Sequence, residues 1–164
     1  MTGLSLCRWI FTEKTVILII NDMVEVLELP KIHLLLVDDD PVMLQLFGGQ
    51  FAQKGFEVLY GHDGAEGWEM ARKFKPEIIM LDYRMAGMDG METAQHLKES
   101  EETKDIPILI FSSEDFSPDG IKALKEIGVT EYLHKGLPFP DILEAVKKAL
   151  LAKGIDYIEP VTDY

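Results

Sequence analysis

Three acids close one apolar run. The stretch "LLLVDDDP" carries four aliphatic residues straight into Asp38, Asp39 and Asp40, and then a proline. Further along, "IIMLDYRM" reaches Asp82, "ILIFSSED" reaches Ser112 and Ser113, and "EYLHKG" reaches Lys135. If each run is a strand of one parallel sheet, these residues project from its carboxyl edge, where open α/β sheets bind ligands. Carboxylates, hydroxyls and an ammonium would then share one rim. Neighbouring carboxylates repel, and at least one pKa rises sharply unless a cation joins them. Hard oxygen ligands suit Mg2+, and a compact ammonium suits a phosphoryl group. Asp82, kept ionised in that setting, could attack phosphorus.

The elements that must place these residues are legible from residue 31 onward. Apolar runs at 32–37, 56–60, 77–81, 106–111 and 131–134 alternate with stretches of helical spacing at 41–53, 64–74, 89–99, 117–127 and 139–152. Such alternation predicts an α/β fold, a mostly parallel sheet covered by helices on both faces. Asp40 followed by Pro41 reads as a helix cap and first helical position. Gly55, Gly64 and Gly128 fall at expected element boundaries. Gly48 and Gly49 lie inside the first helix, where each costs about 1 kcal/mol against alanine; they signal local weakness or close packing.

Residues 1–30 stand outside the alternation and are expected to form an N-terminal extension, an appended strand or a poorly ordered arm. The alternative is that translation starts at Met23. Residues 31–152 form the main domain, and 153–164 a short tail, too short for an output domain. The 164-residue length suits one domain with a full core, and 47% hydrophobic with 27% charged residues is a globular composition. A net charge of −13 argues against a nucleic-acid partner. One cysteine, Cys7, excludes an internal disulfide and points to a reducing compartment. "TVILII" is too short to span a membrane, and Glu13 and Lys14 interrupt a signal-peptide core. The expected location is the cytoplasm, with no membrane insertion.

Together, "LLLVDDDP", "PEIIMLDYRMAGMDGMET", "IPILIFSSED" and "EYLHKG" resemble the receiver domain of bacterial two-component response regulators over about residues 31–152. The order of the motifs and the intervals between positions 39, 82, 112 and 135 carry the likeness. The resemblance implies a flavodoxin-like, doubly wound five-stranded sheet of order 2-1-3-4-5. It makes Asp82 the phospho-acceptor and places Mg2+ on Asp39 directly, Asp38 mainly through water, Asp82, and the backbone carbonyl of Arg84. It makes Lys135 the phosphoryl-binding lysine, Ser112 the hydroxyl that moves to the phosphoryl group, and Tyr132 the aromatic switch. Ser113 reads as a small residue leaving room for phosphate. Arg84 and Glu114 flank the approach to the acceptor and are expected to pair there, hindering the hydrolytic water.

The implied function is that of a stand-alone, single-domain response regulator, a phosphorylation switch and not a turnover enzyme. It would take phosphate from a sensor histidine kinase or a histidine phosphotransfer protein. It would then dock a downstream protein target through the face of its fourth helix, fifth strand and fifth helix, or relay phosphate onward. A homodimer through the same switch face is left open. Two departures stand out: Ala86 and Gly136 occupy positions where the family usually has proline, the second in cis. A cis bond without proline costs about 2.5–4 kcal/mol, so slower or looser switching is expected.

A second reading fits "LLLVDDDPV" to haloacid dehalogenase-type phosphatases, with Asp38 as nucleophile and Asp40 as acid. Chain length, Asp82 and the lack of a late acidic pair after Lys135 weigh against it. A third is a receiver-like scaffold that never takes phosphate. The remaining histidines, His33, His62 and His96, lack metal-ligand spacing. His134 reads as a solvated or half-buried strand residue and Trp68 as core. Met80, Met85, Met88 and Met91 read as packing around the acceptor loop, with flexible partner contact an alternative.

Overall fold

The computed structural model describes residues 7–11, 15–20, 23–28 and 31–159. These divide into two compact units, the larger spanning Ile32–Tyr157. In the other unit, strands β1 (Cys7–Phe11), β2 (Thr15–Ile20) and β3 (Met23–Glu28) form an antiparallel sheet of order β1-β2-β3. The expectation of a single appended strand or arm therefore undercounts: the described residues before position 31 pair as three strands.

The larger unit begins with β4 (Ile32–Val37) and α1 (Pro41–Gln53), then β5 (Phe56–Gly61) and α2 (Gly64–Phe74). It continues through β6 (Ile78–Leu81), α3 (Gly90–Glu99), β7 (Ile108–Ser112), α4 (Pro118–Glu126), β8 (Glu131–His134) and α5 (Phe139–Ala152). The five strands pair in parallel in the order β5-β4-β6-β7-β8, which is 2-1-3-4-5 within this unit. The α/β class, the flavodoxin-like order and the helical ends at 41–53, 64–74 and 139–152 agree with the sequence reading.

The central strands explain why the fold was readable. Every residue of β6 and β7 is buried, as continuous apolar runs require when helices cover both faces. In β4, Leu34 and Leu36 join one core with Phe47 and Phe51 of α1 and Ile142 and Val146 of α5. Leu35 and Val37 point the other way, into a second core with Ala71, Ala94, Leu97 and Leu124 from α2, α3 and α4.

Helix starts follow side-chain caps. Asp40 accepts a bond from Val42 N–H at 2.8 Å, Asp63 from Glu66 N–H at 2.7 Å, Asp89 from Glu92 N–H at 2.9 Å and Ser117 from Gly120 N–H at 3.1 Å. Asp89 and Ser117 thus lie just outside their helices, correcting the expected starts at 89 and 117. Gly48 resolves as close packing, since a Cβ there would come within 2.5 Å of the Tyr60 ring. Trp68 is half-buried against the second core, not within it. The segment after α5 also packs more than a tail would: the Tyr157 ring stacks on Phe56 at 4.8 Å and its hydroxyl donates to the Lys54 carbonyl.

Candidate functional site

The adjacent strands β4 and β6 end side by side, Val37 paired with Leu81, so the residues that follow them meet. The Asp82 N–H donates to the Val37 carbonyl at 2.8 Å and locks the two strand ends together. Asp38, Asp39 and Asp82 then bring one carboxylate oxygen each to within 4.8 Å of one another. Asp38 and Asp82 are 1% and 6% exposed, whereas Asp39 faces solvent.

Lys135 reaches this cluster from the end of β8. Its backbone N–H donates to the Ser112 carbonyl at 2.8 Å, one step past the β7–β8 pairing of Ser112 with His134. Its ammonium lies 2.5 Å from Asp38 Oδ2 and 3.1 Å from Asp82 Oδ1. Both oxygens of Asp38 are engaged, because Oδ1 accepts the Asp40 N–H at 3.0 Å. Asp39 Oδ2 accepts the Ala86 N–H at 3.1 Å and so touches the loop after β6.

Burial pushes the Asp82 carboxyl above its ordinary value, with Lys135 opposing the rise and Asp38 adding to it. One ammonium among three carboxylates leaves the cluster short of positive charge. A divalent cation fits that deficit, and an all-oxygen donor set fits Mg2+.

Glu114 links the other predicted residues. Its N–H donates to Ser112 Oγ at 3.2 Å, its carbonyl accepts the Tyr132 hydroxyl, and its carboxylate pairs with Arg84 Nε at 2.6 Å. The expected Arg84–Glu114 pair therefore forms, on an exposed surface. Ser112 is buried and Ser113 exposed. Burial raises the Tyr132 phenol, which favours the protonated donor form. Phe116 lies between two tyrosines, with ring centroids 4.6 Å from Tyr83 and 4.9 Å from Tyr132.

Sequence reasoning missed two contributors. Gly90 opens α3 directly against the Asp82–Tyr83 backbone: its N–H donates to the Tyr83 carbonyl at 2.9 Å, and a Cβ would lie 2.7 Å from Tyr83 Cα. Its place after the helix-capping Asp89 was the available signal. The second is His134, which bonds both flanking loops. Gly87 has φ +81°, a left-handed turn of the loop after β6 that glycine adopts without strain. Met80 and Met85 are buried, and Met88 and Met91 are half-buried, as packing residues.

Asp40 caps α1 through Oδ1, as the sequence reading expects. Residues 34–147 match the family described as Response regulator receiver domain. This chain belongs to that family. The receiver domain is 32% identical over 118 residues to the transcriptional regulatory protein GlrR of Escherichia coli, covering 72% of this chain and 26% of that protein. The chain thus spans about a quarter of GlrR's length. It is 27% identical to protein PilH of Pseudomonas aeruginosa, covering 72% of this chain and 97% of PilH. The chemotaxis protein CheY4 of Vibrio cholerae superposes with a TM-score of 0.69 at 27% identity, covering 73% of this chain and 99% of CheY4. These matches place the receiver domain among response regulators of two-component systems and give the phosphatase reading no support. Among the described residues, no helix is long and apolar enough to cross a membrane.

Proposed function

We propose that this receiver domain is a stand-alone phosphorylation switch in which Asp82 accepts a phosphoryl group from a phosphohistidine on a sensor histidine kinase or histidine phosphotransfer protein. A carboxylate oxygen of Asp82 forms the new O–P bond as the N–P bond breaks, and the histidine leaves with the electron pair. The supporting observation is the meeting of three carboxylate oxygens within 4.8 Å, with Lys135 bridging Asp38 and Asp82. Mg2+ held by Asp39, Asp82 and the Arg84 carbonyl, with Asp38 through water, would supply the missing positive charge. Lys135 is positioned to pair with phosphoryl oxygens in place of its present carboxylate contact. Ser112 would exchange its bond with Glu114 for one to the phosphoryl group. That exchange loosens Glu114, on whose carbonyl the Tyr132 hydroxyl rests, and couples the acceptor to the face of α4, β8 and α5.

That face would dock a downstream protein, or a second copy of the chain; no independent substrate turnover and no nucleic-acid binding belong to this reading. A cytoplasmic location fits it. Beryllofluoride with Mg2+ tests the acceptor directly: a bound fluorine signal is expected with wild type and none with Asp82→Ala. A signal of equal strength in both would remove Asp82 from the role.

The Arg84–Glu114 pair is proposed to hinder the water that hydrolyses the phospho-aspartate. Exposed pairs are weak, so Arg84→Ala and Glu114→Ala are each expected to shorten the lifetime only about two- to fivefold. Phosphate release followed at constant Mg2+ checks this, and unchanged lifetimes in both variants refute it.

A further inference from the structure

We infer that the His134 imidazole is a positioning residue that clasps the loop after β7 to the loop after β8 and thereby sets Lys135; this rests on the reading of Asp82 as acceptor. The β7–β8 ladder ends at Ser112 and His134, and its last backbone bond is Lys135 N–H to the Ser112 carbonyl at 2.8 Å. Beyond that point the imidazole takes over. The Gly136 N–H donates to His134 Nδ1 at 2.9 Å, and His134 Nε2 lies 3.1 Å from the Ser113 carbonyl. An amide N–H only donates, so Nδ1 must present its lone pair and Nε2 must carry the proton that it gives to Ser113. One neutral ring thus supplies the acceptor for one loop and the donor for the other.

Residue 136 is fitted to this ring in two ways. A proline there would have no N–H to give. Any Cβ would lie 2.9 Å from His134 Nδ1 and 3.1 Å from Cε1, so a side chain would displace the imidazole. Glycine satisfies both demands. Lys135 lies between the ring's own residue and the amide it binds, and the Ser113 carbonyl follows Ser112, the hydroxyl proposed to meet phosphate. The clasp therefore sets the approach of the ammonium and that of the serine loop together. His134 itself touches neither the carboxylates nor the reacting atoms in any described contact.

Two measurements on the full chain test this. The first is a through-hydrogen-bond 15N–15N coupling between the Gly136 amide and His134 Nδ1, expected in wild type whether or not phosphorylation occurs; its absence overturns the clasp. The second is the rate of phosphorylation by acetyl phosphate in saturating Mg2+. His134→Ala and Gly136→Ala are each expected to slow it about five- to tenfold, the size of one well-placed hydrogen bond, with Mg2+ affinity unchanged by calorimetry. In the double variant, Gly136→Ala should add little, because the ring it collides with is gone. His134→Asn should recover part of the rate, since asparagine can accept the N–H two residues on. Additive losses, or a His134→Ala rate equal to wild type, overturn the positioning role alone. A wild type that takes no phosphate overturns the acceptor reading and that role with it, while the coupling still reports on the clasp.

Discussion

Replacing Lys135 by alanine is expected to lower the folding stability of the metal-free domain by about 3–5 kcal/mol near neutral pH, the usual cost of removing one partner from a buried ion pair. Lys135 is only 10% exposed and contacts two buried carboxylates at once. Without it, Asp82 keeps its charge only at a large desolvation cost, or binds a proton. The pH dependence follows from the direction of the shift. Asp82 is already raised above 3.8, so in the window between that value and its folded one, the folded state binds more protons than the unfolded state. Its contribution therefore becomes less favourable as pH rises through that window. The deficit of Lys135→Ala should be small below the window, where the Asp82 carboxyl is neutral in both states, and complete above it. Millimolar Mg2+ should recover part of the loss, because a divalent ion replaces the missing ammonium. Urea unfolding at several pH values, with and without Mg2+, measures all three. A deficit independent of pH and metal would mean that Lys135 stabilises through packing of its stem.

Gly90→Ala is the second large effect, expected at about 3 kcal/mol because the added methyl meets backbone that cannot swing aside. The atoms it strikes are the backbone of Asp82 and Tyr83, including Tyr83 Cα at 2.7 Å, so Asp82 must move or α3 must retreat. Mg2+ affinity should fall along with stability. Gly49→Ala is the control: nothing lies within 4 Å of its Cβ position, and helix propensity alone should stabilise the protein by about 1 kcal/mol. Chemical unfolding and Mg2+ calorimetry on both variants separate the cases.

The contrast between these two glycines shows where sequence reading succeeds and where it stops. Strand and helix periods expose β4, β6 and β7, because burial on both faces leaves nearly continuous apolar runs. Asp38, Asp82, Ser112 and Lys135 were legible because parallel strands deliver their ends to one rim. The edge strand β5 is fully buried only at its two ends and shows a weaker signal. Gly48 and Gly49 look alike in sequence, yet one faces a tyrosine ring and the other open space, while Gly90 abuts the backbone of Asp82 and Tyr83. That distinction depends on which element lies across from each, which local periodicity does not encode.

His134 illustrates the same limit. On β8 it reads as an ordinary half-buried strand residue, and its value lies in backbone groups of two loops that have no sequence signature. Glu114 was placed beside Arg84 by the family likeness, but its bonds to Ser112 and Tyr132 run through its own N–H and carbonyl, which every residue possesses. The pairing of three strands before residue 31 escaped because that segment stands outside the strand–helix alternation of the rest.

The most direct measurement is to phosphorylate the full chain with acetyl phosphate and Mg2+, reduce the acyl phosphate with borohydride, and map the altered residue by peptide mass. A single change at residue 82, absent when Mg2+ is chelated, is the predicted result. Modification at residue 38 or 39, or equal labelling in Asp82→Ala, would contradict the account.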